Sequence, residues 1–216
     1  SAIVCGGLKL CGGALDITSQ RDALVCGEYL VAAAGETSVS SGGDGVRVTS
    51  DGDNGYFSMS GGVLDVVSAQ NGIHAQSAVF VSGGELKLNS GGGSTAVMHF
   101  RSGRSYPYAK HGGFATDGSV EFDFSALVSG DGSSAPSKKG IKTDGVVRIN
   151  GGSTEVSSAD DSVSARGDVQ ISSGALLLSS GDDAIHTDNT LAVSGGSVEV
   201  SDSYNALEGR TVSVEG

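Results

Sequence analysis

Two pairs of neighbouring aspartates are the residues of this chain best placed to do chemistry. Asp160 and Asp161 lie in the sequence SSADDSV, and Asp182 and Asp183 lie in SSGDDAI, one sequence repeat further on. A fold that stacks equivalent positions brings the four carboxylates together, and two like charges about 5 Å apart cost roughly 3–4 kcal/mol at an effective dielectric of about 20. The cluster must therefore gain protons, stay well solvated or hold a cation. Calcium, which takes six to eight oxygen ligands with loose geometry, suits it.

The same aspartates also have a purely structural interpretation as Asx turns, in which each side chain caps its own corner. Residues of this kind recur at the position of the second aspartate: Asp22, Asp44, Asn71 and Asn205. That recurrence favours the turn for Asp161 and Asp183. It does not explain Asp160 and Asp182, so a calcium site and a capped corner both remain open.

Two further rows of polar residues follow this corner in each repeat. The first row is Lys142, Ser164, His186 and Glu208, and the second is Asp144, Arg166, Asp188 and Arg210. The second row alternates in sign, which is most simply a zipper of surface charges. Glu208 is a further candidate ligand for the cation, and Lys142 and His186 are candidate contacts for a bound ligand. Histidine without a second histidine at ligand spacing is more often solvated than metal-bound.

One segment gathers basic and aromatic residues in a chain that is poor in both. Its candidate binding residues are Arg101, Arg104, Tyr106, Tyr108 and Lys110. Sugars are bound by aromatic faces together with hydrogen-bonding groups, and uronic acids are recognised by arginine and lysine. The alternative is a loop that folds its aromatic rings over its own scaffold as a small local core.

The scaffold that positions these residues is a repeat of about 22 residues. A short strand of the form apolar–x–apolar recurs nine times, beginning at Leu8, Leu30, Phe57, Val79, Val120, Val147, Val169, Leu191 and Val212. Most of these strands run into a glycine turn and a second strand, and a third strand follows the polar corner. The pattern predicts an all-β, single-stranded, right-handed parallel β-helix, a solenoid of about nine rungs with three short strands per rung. Its stacked inward residues include Leu24, Val46, Ile73, Ile141, Val163, Ile185 and Leu207.

Departures from the repeat predict insertions near residues 50–55, 91–113 and 130–136 in a single domain of residues 1–216. The sequence opens and closes within the repeat pattern. We therefore expect either a longer natural chain or copies that associate end to end through uncapped coils. Cys5 and Cys26 occupy the same inward position in consecutive repeats and Cys11 lies in a turn. Buried thiols are favoured over a disulfide or a metal site.

Composition excludes several functions. The chain contains 36 glycines, 2 prolines and a net charge of −12, and such an acidic chain lacks the basic footprint that nucleic-acid binding needs. No apolar run approaches the roughly 20 residues of a membrane span. No signal segment is visible, although a leader could precede this sequence.

Residues 139–209 resemble a bacterial family of extracellular carbohydrate-binding β-helix proteins with pectate-lyase-like architecture. The likeness is carried by KGIKTDGVVRINGG, SSADDSV, SSGDDAIHTDNTLAVSGGSVEVSDSYNALEG, and above all by the closing SYNALEG. The resemblance implies calcium held between coils by turn carboxylates, which correspond to Asp160, Asp161, Asp182, Asp183 and Glu208. It also implies an extracellular or cell-surface location and affinity for plant cell-wall glycans such as polygalacturonate or cellulose. Asn205 stands where the family often has glutamate, which weakens a site that uses this corner.

The expected function is therefore calcium-assisted, non-catalytic binding of acidic polysaccharide. One alternative is a calcium-dependent lyase, for which Lys142 is the nearest candidate to abstract a proton. Another is a structural or adhesive solenoid. The GHG and RIK motifs of β-helix polygalacturonases are absent, and the paired aspartates are turn residues of a repeating corner, so hydrolysis has little support.

Overall fold

The computed structural model describes residues 1–50, 54–94 and 136–215, and within them all strands belong to one parallel sheet and no helix is present. The all-β prediction is confirmed. The strands are β1 (Ile3–Ser19), β2 (Leu24–Ser41), β3 (Val46–Val48), β4 (Tyr56–Ser68), β5 (Ile73–Ala75), β6 (Ala78–Ser90), β7 (Ile141–Thr143), β8 (Val146–Ser158), β9 (Val163–Ala165), β10 (Val169–Ser180), β11 (Ile185–Val193), β12 (Ser197–Asp202) and β13 (Leu207–Val214).

The sheet follows the sequence repeat. Its strand order is β12-β10-β8-β6-β4-β2-β3-β5-β7-β9-β11-β13, with β1 paired to β2 and a further pairing of β10 with β11. Residues one repeat apart are direct neighbours, as Val163 is to Ile185. The predicted inward row is confirmed in order: Leu24, Val46, Ile73, Ile141, Val163, Ile185 and Leu207.

The strands are longer than the prediction of three short strands per repeat. From β3 to β10, each three-residue strand alternates with one long strand, which contains both the first and second predicted strands. The glycine bend lies inside the long strand, because pairing with the next repeat is irregular at the bend but resumes after it, as at Val63 and Glu85. Gly62 and Gly84 have positive φ angles of 78° and 85° at this bend. A Cβ atom on Gly84 would lie only 2.8 Å from the carbonyl oxygen of Gly62, so the close stacking requires glycine.

The predicted strand at Val120 lies outside the described residues. Among the described strands, Val79 pairs directly with Val147. In the described residues the row of first strands therefore has eight members, Leu8, Leu30, Phe57, Val79, Val147, Val169, Leu191 and Val212. The predicted insertions near 91–113 and 130–136 fall between β6 and β7 in sequence, and residues 95–135 lie outside the described residues.

The inward side chains form one apolar core. Phe57, Leu30, Leu64 and Ile149 are among its large members, each with at most 1% of its surface exposed. Inward residues of the first and last repeats, such as Leu8 and Val200, are only partly buried. The described residues within 1–94 and 137–215 belong to one compact unit. None of their segments is a helix long and apolar enough to cross a membrane.

The cysteines are free thiols in this arrangement. The Sγ atoms of Cys5 and Cys26 lie 3.6 Å apart in neighbouring repeats, whereas Cys11 is exposed within β1. Burial, reinforced by Cys5, raises the pKa of the Cys26 thiol to about 12. Cys26 therefore packs as a neutral, small apolar group.

Candidate functional site

The polar corner of each repeat forms a continuous column, which we call the corner column. It consists of Asp22, Asp44, Asn71, Lys139, Asp161, Asp183 and Asn205. The residue that follows each of the first six members donates its backbone N–H to the carbonyl oxygen of the next member, at 2.8–3.0 Å. Positions distant in sequence thus become neighbours in space.

The side chains of the corner column are also linked from one repeat to the next. Oδ1 of Asp22 accepts the backbone N–H of Asp44 at 2.9 Å, and Oδ1 of Asp44 accepts that of Asn71 at 3.0 Å. Asp161 and Asp183 do the same for the next residue of the column, each at 3.2 Å. The capping role expected of these residues is present, but each side chain caps the neighbouring repeat and not its own corner.

Lys139 interrupts this run of caps. It stands where the other repeats have aspartate or asparagine, and its Nζ atom lies 2.5 Å from Oδ2 of Asp161 and 3.1 Å from Oδ1 of Asp160. Burial tends to lower the pKa of Lys139, but the two carboxylates outweigh it and the pKa is raised. An ammonium group therefore already supplies positive charge to the first pair of aspartates.

The sequence analysis missed the role of Lys139. The signal was present in KGIKT, which aligns Lys139 with the capping aspartates of the other repeats. A lysine at a position flanked by carboxylates of the next repeat is positioned to pair with them.

The structure brings the predicted acidic residues together in two clusters. Oxygens of Asp160, Asp161 and Asp182 lie within 4.8 Å of one another, which satisfies the geometric condition on which the cation prediction depends. One repeat further on, ligand atoms of Asp183, His186 and Glu208 are equally close.

The second cluster carries excess negative charge. Asp183 has only 2% of its side chain exposed, and Nδ1 of His186 lies 3.5 Å from its Oδ2 atom and 3.8 Å from Oε2 of Glu208. Burial, hydrogen bonding with Glu208 and the charges of Asp182, Glu208 and Asp161 raise the pKa of Asp183 to about 7. Burial acts to lower the pKa of His186, but the surrounding carboxylates raise it.

The same corner near the start of the chain has an arginine and a histidine as partners of its carboxylates. Oδ2 of Asp44 accepts a hydrogen bond from Nε of Arg47 at 3.0 Å and lies 3.4 Å from Nδ1 of His74. Arg47 also reaches Oδ2 of Asp22 at 3.3 Å. Burial alone would raise the pKa of Asp44, but hydrogen bonds from His74, Asn71 and Arg47 outweigh it and lower the pKa.

These differences decide where a divalent cation fits best. Calcium prefers oxygen ligands, and Asp183 and Glu208 offer carboxylate oxygens in one cluster with a nitrogen of His186. The charge of Asp182, which belongs to the other cluster, also raises the pKa of Asp183. Asp160 and Asp161 are less suitable because Lys139 already pairs with both. The residues present therefore fit a cation at the end of the corner column nearer Glu208.

Two predicted ligand contacts lie beside this end of the corner column. Lys142, Ser164 and His186 are consecutive neighbours in register. Lys142 and His186 line one cavity of about 210 Å³, together with Lys139, Thr143, Asp144, Ser164, Ala165, Arg166 and Asp188. Nε of Arg166 lies 3.3 Å from Oδ1 of Asp144, which is one link of the predicted charge zipper. The other candidate contacts, Arg101, Arg104, Tyr106, Tyr108 and Lys110, lie outside the described residues.

The fold and site define a class of all-β proteins in which parallel strands stack polar side chains into columns. Within that class, the chain belongs to a family described as carbohydrate-binding domain-containing proteins, whose family model matches residues 3–184. The match includes both aspartate pairs and Lys139. No curated protein and no solved structure matched the chain.

Proposed function

We propose that this protein is a right-handed parallel β-helix that binds acidic plant cell-wall polysaccharide outside the cell without cleaving it, with calcium assisting. The expected ligands are plant cell-wall glycans such as polygalacturonate or cellulose. Membership of the carbohydrate-binding family supports the ligand class. The pairing of residues about 22 positions apart supports the parallel β-helix. Its right-handedness follows from the strong preference of parallel strands for right-handed crossover connections.

The observation that carries the calcium proposal is the crowding of carboxylates around Asp183. Burial and neighbouring carboxylates raise its pKa to about 7, and a divalent cation relieves such repulsion. The carboxylates of Asp182, Asp183 and Glu208 are the expected ligands. A net charge of −12 opposes binding of an anionic polymer, so a cation beside the cavity of Lys142 and His186 would reduce the repulsion where the ligand lies.

Calorimetric titration of the whole protein with polygalacturonate, in calcium and in chelator, tests this function. We expect binding in calcium that weakens at least tenfold in chelator. Asp182→Asn should reduce the calcium-dependent part, whereas Asp160→Asn should change it little, because Lys139 already pairs with Asp160. Absence of binding to both polygalacturonate and cellulose, in calcium as in chelator, would overturn the proposal.

A calcium-dependent lyase is the second candidate, because Lys142 lies in the same cavity as His186 beside the acidic corner. A lyase would use a basic side chain to remove a proton next to the uronate carboxylate. Absorbance of the unsaturated uronide product separates the two functions. No increase in absorbance over prolonged incubation is expected, and a steady increase lost in Lys142→Met would establish the lyase instead.

A further inference from the structure

A second face of the sheet, away from the corner column, carries an ordered row of outward side chains. We call it the first-strand face, and its central row is Lys9, Val31, Ser58, Phe80, Arg148, Gln170 and Ala192, each the in-register neighbour of the next. Tyr29 and Tyr56 pair with each other two positions earlier on their strands. A polymer that runs along the stacking direction would meet these residues one repeat at a time.

Three aromatic rings on this face touch across successive repeats. The ring centroids of Tyr29 and Tyr56 are 5.9 Å apart with an interplanar angle of 24°, and those of Tyr56 and Phe80 are 6.4 Å apart at 61°. Nζ of Lys9 lies 5.9 Å from the centroid of Tyr29. Cross-strand packing of this kind stabilises a sheet. The three rings nevertheless remain partly exposed, so they also present apolar surface to solvent.

A cavity with both polar and apolar lining continues the aromatic row. Its volume is about 290 Å³, and it is lined by Arg148, Ile149, Asn150, Gln170, Ser172, Ala192 and Ser194. Arg148 is the in-register neighbour of Phe80, so the cavity begins where the aromatic rings end.

Arg148 differs from the arginines of the corner region. Arg47 and Arg166 each pair with a carboxylate of the chain, whereas the exposed Arg148 makes no ion pair with any residue of the described ranges. In so acidic a protein, an arginine of this kind has a guanidinium group that can donate two parallel hydrogen bonds to the carboxylate of a ligand.

We infer that the first-strand face is a binding subsite for a uronate-containing polysaccharide chain, with one sugar carboxylate on Arg148. The amides of Asn150 and Gln170 hydrogen-bond to sugar hydroxyls, and adjoining pyranose rings pack on Phe80 and Tyr56. Charge complementarity at Arg148 and apolar contact with partly exposed rings select this occupant over a neutral or purely apolar one. The inference rests on the proposed function and deepens it by assigning a second site, which does not use the acidic corner.

Affinity for hexagalacturonate, and for a neutral hexasaccharide of the same length, tests this assignment on the full chain by calorimetry. Arg148→Gln should weaken hexagalacturonate binding about tenfold and leave the neutral sugar unchanged. Arg21→Gln is the matched control, since it removes the same charge from an exposed arginine that lies in neither cavity.

Aromatic contact is tested separately with Tyr56→Leu, for which Tyr56→Phe is the control that keeps the ring. We expect Leu to weaken both oligosaccharides several-fold and Phe to bind them as the wild type does. Phe80→Leu serves the same purpose if Tyr56→Leu does not fold, as judged by its thermal transition.

The outcomes separate this inference from the proposed function. Suppose that Asp182→Asn weakens binding, whereas Arg148→Gln and the leucine variants bind as the wild type does. This result would overturn the subsite and leave the proposed function standing. A wild-type protein that binds neither oligosaccharide, nor the polymers in calcium, would overturn both.

Discussion

At the scale of single residues, one position of the repeat takes on different chemistry according to its neighbours. Asp44 and Asp183 are equivalent in the corner column and both are buried. Arg47, His74 and Asn71 lower the pKa of Asp44, whereas burial and carboxylate neighbours raise that of Asp183 to about 7. The sequence pattern predicts the cap at both positions, because capping depends on the residue's own type. It does not predict the opposite shifts, which depend on the side chains around each carboxylate, several of them one repeat away.

Asp44→Asn should destabilise the protein near neutral pH by about 1–2 kcal/mol. Asparagine keeps an oxygen for the N–H of Asn71 but removes the charge that faces Arg47 and His74. Because the folded pKa lies below the ordinary 3.8, the contribution of Asp44 is present above that value and is lost as pH falls through the folded pKa. Urea unfolding should therefore show a difference that shrinks in acid.

Asp16→Asn, on an exposed side chain, is the control for the change in net charge. An Asp44→Asn effect of the same size in acid as at neutral pH would show that Asp44 acts as a cap alone.

Lys139→Met should lower stability by about 2 kcal/mol, because it leaves the Asp160 and Asp161 carboxylates without their ammonium partner. The raised pKa of Lys139 means that the wild-type contribution is fully present below the ordinary value of 10.5 and is lost only as pH rises through the folded pKa. Thermal melts should also show that calcium stabilises the variant more than the wild type. Lys138→Met is the neighbouring control, and equal calcium responses would contradict the idea that Lys139 takes the place of a cation.

At the scale of the strands, the inward rows of core residues could be predicted from the sequence. The merging of the first and second strands of each repeat into one long strand could not. Alternating residues such as Ile73 and Ile141 mark the buried face, because the two-residue period of a strand is visible in sequence. The merging of first and second strands depends on pairing with the adjacent repeat on both sides of the glycine bend. That pairing involves residues of another repeat and leaves no local signal in the sequence.

Thr154 identifies a weak point in one inward row. Its hydroxyl is the one buried side-chain polar atom without a hydrogen-bond partner in the described part of the chain, and its in-register neighbours are Leu86 and Leu176. Thr154→Val should raise the free energy of unfolding by about 1 kcal/mol, since it removes an unsatisfied buried hydroxyl and nearly conserves shape.

Thr143→Val is the matched control. The Thr143 hydroxyl donates to the carbonyl of Gln76 at 3.4 Å and accepts the N–H of Gly145 at 3.1 Å, so its removal should destabilise the protein. Chemical denaturation of both variants measures the contrast, and a destabilised Thr154→Val would mean that its hydroxyl has a partner in solution.

At the scale of the whole molecule, the sequence predicts the repeat but not which repeats are direct neighbours. The predicted first strand at Val120 lies outside the described residues, and among the described strands Val79 pairs directly with Val147. A pattern of three residues carries too little information to fix the register of a strand. Register is decided by the complete set of inward side chains, which recurs at Val147 and is therefore able to continue the core.

Separate chains of residues 1–94 and 136–216 should assemble when produced together. The two parts meet through the pairings of β5 with β7 and β6 with β8, and neither pairing requires the connecting segment. A tag on one part should retain the other during purification at equal molar amounts. Val79→Asp, which places a charge in the core at this junction, is the control that should abolish retention, and independent elution of the unmodified parts would contradict the prediction.

The direct pairing of Val79 with Val147 also shows that strands far apart in the sequence can be neighbours in the sheet. The chain leaves the sheet at Ser90, the end of β6, and rejoins it at Ile141 of β7. Because β5 pairs with β7 and β6 pairs with β8, these pairings do not depend on how many residues connect the two parts. Closing a longer excursion is inexpensive, since doubling its length adds only about 0.6 kcal/mol of entropy. This junction is accordingly a suitable place in the protein to graft a foreign domain, because β6 and β8 would keep their register.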